Sequence, residues 1–194
     1  MNNNNQPALS KEQIEFVMSL YASGQIEEAI NEINLLNKKY PNVPLLCNIL
    51  GACYKSKKDL NNAILMFKKA IILKPDYAEV HNNLGLAFMQ IGRHDLAIES
   101  FSNAVLNMPN FYGAHYNLAF TFKKIGQLDD AAKCYEKVIE LKPDNFEAYN
   151  NLGVIFSELK KNESSVKCFN QAIKIRPDFA EAYNNLGNIF SELT

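Results

Sequence analysis

The chain predicts an all-α fold built of repeated helix pairs, and three observations predict it. Six of its seven prolines, Pro7, Pro41, Pro75, Pro109, Pro143 and Pro177, follow one another at intervals of 34 residues. Seven of its eight glycines keep the same clock: Gly51, Gly85, Gly153 and Gly187 share one position, and Gly24, Gly92 and Gly126 share another. Between these marks the apolar residues recur at three and four, the period of a helix and not of a strand. With each proline numbered 32, whole units run 10–43, 44–77, 78–111, 112–145 and 146–179, and a sixth begins over 180–194. That is about five and a half repeats, forming one repeat domain over 10–194, preceded by residues 1–9, expected to be a disordered tail.

Each unit reads as two helices. In the third, Leu84, Ala87, Phe88 and Ile91 make one stripe, and Leu96, Ala97, Phe101, Ala104 and Val105 make the next. Glycine at the break suits a tight turn, because without a Cβ it enters backbone regions closed to other residues. Proline ends each second helix, having no N–H to donate and disfavouring helix in the residue before it. Asp76, Asp144 and Asp178 follow a proline and precede Glu79, Glu147 and Glu181 by three, the spacing of a capping box. Pro44 serves instead as a first-turn proline in the second unit.

Composition removes several classes of function. Twenty basic against 21 acidic residues leave a net charge of −1, without the positive field of a general nucleic-acid or acidic-membrane binder. Apolar residues at 47% supply a sizeable core, and charged residues at 21% are too few for a disordered chain. No run of 18 apolar residues occurs, and the polar start lacks the n- and h-regions of a secretory signal, so no membrane association is expected and the cytoplasm is the expected location. Cys47, Cys53, Cys134 and Cys168 are too few for a disulfide scaffold of this size.

Leu84, Gly85, Phe88, Ala97, Phe101, Ala104 and Pro109 in unit three, and Tyr149, Leu152, Gly153, Phe156, Phe169, Ala172 and Pro177 in unit five, together resemble the tetratricopeptide repeats. The resemblance covers residues 10–194. It implies a right-handed α-solenoid of antiparallel helix pairs, with the first helices lining a concave groove through positions 2, 5, 6, 9, 12 and 13. Within that family the chain is similar to the repeats preceding bacterial glycosyltransferases and sulfotransferases, and to the repeats of O-linked N-acetylglucosamine transferase. Small residues at positions 8 and 20 let the paired helices approach, and aromatics at 11 and 24 fill the space beside them. Unit one departs from the pattern with Val17 and Ile33, as a degenerate end unit does. Unit four has Ala119 for glycine, and unit five has Ser165 for alanine. Units two and five lack the turn glycine, with Ser56-Lys57-Lys58-Asp59 and Lys160-Lys161-Asn162 there, so looser corners are expected.

The sequence holds no Gly-rich phosphate loop, no metal-type pairing of Cys or His and no His-Glu-x-x-His, so neither catalysis nor a cofactor nor a metal is expected. His81 and His115, both at position 4, read as a packing column of mid-sized rings rather than as a metal or thiol site. Cys134 and Cys168, both at position 23, read as small core thiols. The candidate binding residues are asparagines. Asn83, Asn117, Asn151 and Asn185 stand at position 6, and Asn48, Asn82, Asn150 and Asn184 at position 5. An amide donates and accepts at once, so such a ladder suits the backbone of an extended peptide. The competing reading is that it bonds to neighbouring helices. Lys55, Lys123 and Lys124 at positions 12 and 13 add positive charge, and Glu147, Glu158, Glu181 and Glu192 make the later stretch acidic. The family's carboxylate clamp, which needs basic residues at positions 2, 5 and 6, is not matched by Ile14, Asn48, Glu79, Gly113, Glu147 and Glu181.

The expectation is a non-catalytic scaffold that binds a protein or extended peptide, with no nucleic-acid or membrane partner. The alternative is the substrate- or partner-binding front of a larger glycosyltransferase- or sulfotransferase-type enzyme, cut at residue 194. Leu186, Ile189 and Phe190 on the last helix, lacking the second helix they would normally meet, predict a weak homodimer.

Overall fold

The computed structural model describes residues 9–193, with the side chains of residues 192 and 193 left out. Eleven α-helices and no strand occur among the described residues: α1 Lys11–Ala22, α2 Ile26–Lys39, α3 Pro44–Ser56, α4 Leu60–Leu73, α5 Ala78–Gln90, α6 His94–Asn107, α7 Tyr112–Lys124, α8 Leu128–Leu141, α9 Phe146–Glu158, α10 Asn162–Ile175 and α11 Ala180–Leu193. The chain divides into two compact units between Arg93 and His94. The first holds α1–α5 and the second α6–α11. Apart from Leu9, which packs against the core of the first unit, the expected tail lies outside the described residues.

Each pair closes where the register places it. Within the second unit α7 lies along α8 and α9 along α10, and within the first α3 lies along α4. An alanine Cβ placed on Gly51 would stand 2.6 Å from the Phe67 ring, and one on Gly153 2.6 Å from the Phe169 ring. Positions 8 and 24 therefore share one volume. Where position 8 grows, position 24 changes with it: Val17 accompanies Ile33 in unit one and Ala119 accompanies Tyr135 in unit four, all fully buried. The degenerate first unit thus keeps the same contact with redistributed bulk.

Tyr135 carries a consequence. Its ring meets Tyr116 edge to face, 5.4 Å between centroids, but its buried hydroxyl has no hydrogen-bond partner. A hydroxyl taken out of water and left unpaired is a net loss. Tyr135→Phe is therefore expected to stabilise by about 1 kcal/mol, seen as a melting temperature raised by roughly 2–4 °C. A drop would show the hydroxyl to be satisfied.

Two sequence expectations meet a different outcome. The capping boxes predicted at Asp76 and Asp144 do not form, because the helices start after Tyr77 and Asn145. Tyr77 N donates to Lys74 O, Asn145 N to Lys142 O and Phe179 N to Arg176 O, so a four-residue turn with proline second occupies each joint. The aspartate is the turn's third residue and lies outside the cap. Asn145 caps α9 instead, accepting from Ala148 N at 2.8 Å, while Asp178 turns to Arg176 at 3.1 Å. A full capping box joins Ser10 and Gln13 at α1.

The corners without glycine take the same conformation as the corners with it. Lys58 and Lys160 have φ of 62° and 59°, beside 80°, 75° and 77° at Gly24, Gly92 and Gly126. Asp59 then caps α4 by accepting from Asn62 N at 3.2 Å. A side chain in the left-handed region is strained by roughly 1–2 kcal/mol. Lys58→Gly is expected to recover up to about 1 kcal/mol of this after the glycine's greater freedom in the unfolded chain is subtracted, and urea unfolding measures it.

On α11 the stripe expected to seek a second copy is divided: Ile189 is buried, Leu186 half-buried and Phe190 53% exposed.

Candidate functional site

Helices α9 and α11 touch each other, as do α3 and α5, so first helices of successive repeats lie side by side within each compact unit. Positions 5 and 6, one turn from the helix start, face that seam. In the first unit Asn83 Nδ2 donates to Asn48 Oδ1 at 3.1 Å, and the Tyr77 hydroxyl also bonds Asn48. In the second unit Asn151 Nδ2 donates to the Tyr116 hydroxyl at 3.1 Å, and Asn185 Nδ2 donates to Asn150 Oδ1 at 3.0 Å. All three links span 35 residues, from position 6 of one repeat back to position 5 of the repeat before. Asn150, 2% exposed, also donates to Glu181 Oε1 at 2.9 Å, and Asn151 Oδ1 receives Lys123 Nζ at 3.5 Å.

The amide ladder is thus a set of struts between helices as well as a row of groups on one face. Asn48, Asn83, Asn150, Asn151 and Asn185 are brought together in this way. Asn82 and Asn117 are half-buried, and Asn184 is exposed on α11. Each amide retains a second N–H and a second lone pair after one strut bond. Tyr116 was not singled out by sequence reasoning. It stands at position 5, and the 35-residue offset to Asn151 is the signal that finds it.

Further along the same helices, Phe120, Lys123 and Lys124 of α7 and Glu158 of α9 line a cavity of about 290 Å³. Glu158 also borders a second, of about 140 Å³, with Val154, Ser157, Phe169, Asn185 and Asn188. These residues occupy positions 9, 12 and 13, together with Phe169 of α10 and the position-6 Asn185. Burial lowers the Lys123 ammonium pKa while Glu158 and Glu181 raise it, and burial likewise lowers that of Lys55 on α3. Glu147 and Glu181 sit near enough to push the Tyr116 hydroxyl pKa up alongside its burial. The side chain of Glu192, counted in the same acidic stretch, lies outside the described residues.

The position-4 histidines are held by the joints. His81 Nε2–H donates to Pro75 O at 2.8 Å and His115 Nε2–H to Pro109 O at 2.9 Å, since a carbonyl oxygen only accepts. Each ring fastens a first helix to the turn preceding it. Burial pushes the thiols of Cys53, Cys134 and Cys168 up to about 11, so near pH 7 they are protonated and poor nucleophiles. Among the described residues no helix is long and apolar enough to cross a membrane.

Repeated helix pairs with a polar, partly charged seam along their first helices define a helical-repeat protein of the interaction type. The chain belongs to the tetratricopeptide-repeat family: the TPR repeat model matches residues 51–92, 121–160 and 155–193, and a Tetratricopeptide repeat model matches 78–107. Among solved structures it resembles MamA, 27% identical over 85% of this chain and 96% of that one, with a TM-score of 0.78. YrrB, described as a TPR protein with an unusual peptide-binding site, is 23% identical over 93% of this chain and 92% of its own, with a TM-score of 0.77. MamA from Desulfovibrio magneticus RS-1 is 18% identical over 87% and 96%, with a TM-score of 0.77. No curated protein matches the chain.

Proposed function

We propose that the chain is a non-catalytic cytoplasmic scaffold that binds an extended peptide or protein segment along its first-helix face, using Asn48, Asn82, Asn83, Asn117, Asn150, Asn151, Asn184, Asn185, Lys55, Lys123 and Lys124. The observation that carries this reading is the second unit's seam. There α7, α9 and α11 set amides with unused bonding capacity beside a cavity lined by a ring, two ammonium groups and a carboxylate. A peptide backbone offers alternating donors and acceptors that such amides match, and the cavities give side chains somewhere to go. A setting ahead of a glycosyl- or sulfotransferase would leave this groove chemistry unchanged and make the bound segment that enzyme's substrate.

The test is amide NMR of the chain titrated with peptides selected from a random display library. Shifts confined to α7, α9 and α11, or to α3 and α5, support the reading, and shifts confined to α8 and α10 overturn it. Because the amides are also struts, Asn151→Ala is expected to lower stability by roughly 1–2 kcal/mol as well as weaken binding. Exposed Asn184→Ala is expected to affect binding alone, and comparing each variant's melting curve with its titration separates the two roles.

A further inference from the structure

We infer that the cavity between α7 and α9 anchors an acidic side chain, so that the bound segment is one carrying an aspartate or glutamate next to an apolar residue. This rests on the groove reading above and names what the groove selects.

Phe120, Lys123 and Lys124 stand at i, i+3 and i+4 on α7 and so present one helix face. Lys124 Nζ lies 5.5 Å from the Phe120 ring centre, and that ring is 37% exposed. Among the described residues neither lysine is in an ion pair. Lys123 is half-buried, and its one hydrogen bond is a 3.5 Å contact to a neutral amide oxygen. Two cations and one carboxylate, Glu158, line the cavity itself, and the field of Glu181 reaches Lys123 from outside that lining. An ammonium held partly out of water with a long neutral contact is the group that gains most from an incoming carboxylate.

The surroundings point the same way. Tyr116 accepts from Asn151, so its own hydroxyl proton is left to donate, and the line from Lys123 through Asn151 to Tyr116 is a row of donors. Glu147 and Glu181 act on the Tyr116 hydroxyl, and Glu181 on Lys123 as well, so an acidic side chain is repelled from that end of the seam. The half-exposed Phe120 ring in the same cavity gives the apolar neighbour a surface to lie on. Nucleic-acid phosphate fits less well, since a polyanion draws on a row of cations and the chain's net charge is −1.

The experiment selects random segments of about ten residues on the whole chain and measures fluorescein-labelled winners by anisotropy. The expected result is an Asp or Glu common to the winners. Replacing it by Asn or Gln should weaken binding about tenfold, which is about 1.4 kcal/mol, with further weakening at high salt. Lys124→Glu, at an exposed position, should weaken the same peptide and favour its acid-to-lysine counterpart. A reversed charge preference is an outcome that loss of folding does not produce. Winners that lack an acid, or that bind Lys124→Glu unchanged while still shifting α7, α9 and α11, overturn the acidic anchor and leave the groove reading standing. Winners that shift only α8 and α10, or a selection that yields none, overturn both. Displacement of the peptide by an oligothymidylate at equal concentration also overturns the anchor, in favour of phosphate.

Discussion

Phe169→Ala is expected to destabilise the chain by roughly 3–5 kcal/mol. Phe169 is 1% exposed, its ring lies against the Gly153 backbone, and Gly153 has no side chain with which to fill the space. Removing the ring therefore opens a cavity that one wall cannot close, and the cost of a truncation grows with the cavity that remains. Urea unfolding of the whole chain measures it. A loss under about 1 kcal/mol would mean that α9 and α10 collapse onto one another. Because repeats are stabilised largely by their neighbours, early loss of signal from α9 to α11 is expected in the variant.

Gly153→Leu tests the same contact from its other side and is expected to cost roughly 3 kcal/mol, the upper part of the usual range for overpacking. Even the first carbon of the new side chain would lie 2.6 Å from Phe169 Cε1, closer than carbon atoms approach, so the helices must part or the ring must leave its rotamer. Gly187→Leu is the control. It shares the repeat position, but its Cβ would meet nothing within 4 Å, so that variant should melt like the parent or slightly above it. If the two leucine variants behave alike, the 2.6 Å contact is not what holds position 8 to glycine. A double variant, Gly153→Ala with Phe169→Leu, should recover part of the loss of Gly153→Ala alone, since the pair conserves volume much as Val17 and Ile33 do.

The helices, their order and their pairing were legible in the chain, because a 34-residue period of prolines and glycines with apolar spacing of three and four admits no other element. Local joints were less so. Asp76 and Asp144 have the composition of caps, but proline two residues after the helix end commits three positions to a turn and moves the cap to the residue behind. Lys58 and Lys160 have the composition of a different corner, yet they adopt the glycine conformation, because the packed helices on either side leave one path between them.

For the site, residue type and column were readable and bonding was not. The sequence alone determined that asparagines recur at positions 5 and 6 and that lysines stand at 12 and 13, since both follow from the register. Tertiary structure alone decided that the amide at position 6 reaches back 35 residues to position 5, that Tyr116 takes the asparagine's place in one of these struts, and that Glu158 joins Phe120, Lys123 and Lys124 around one cavity. The physical reason is the direction of the contact. Packing within a helix pair is dictated by residues on one short stretch of chain, where the repeat spells it out. A hydrogen bond or a cavity wall between neighbouring first helices depends on how far those helices slide and rotate past each other, and that offset is set by the core shared between one pair and the next, such as Tyr135 and Val138 of α8 with Ala148 and Leu152 of α9, rather than by the polar residues that use it.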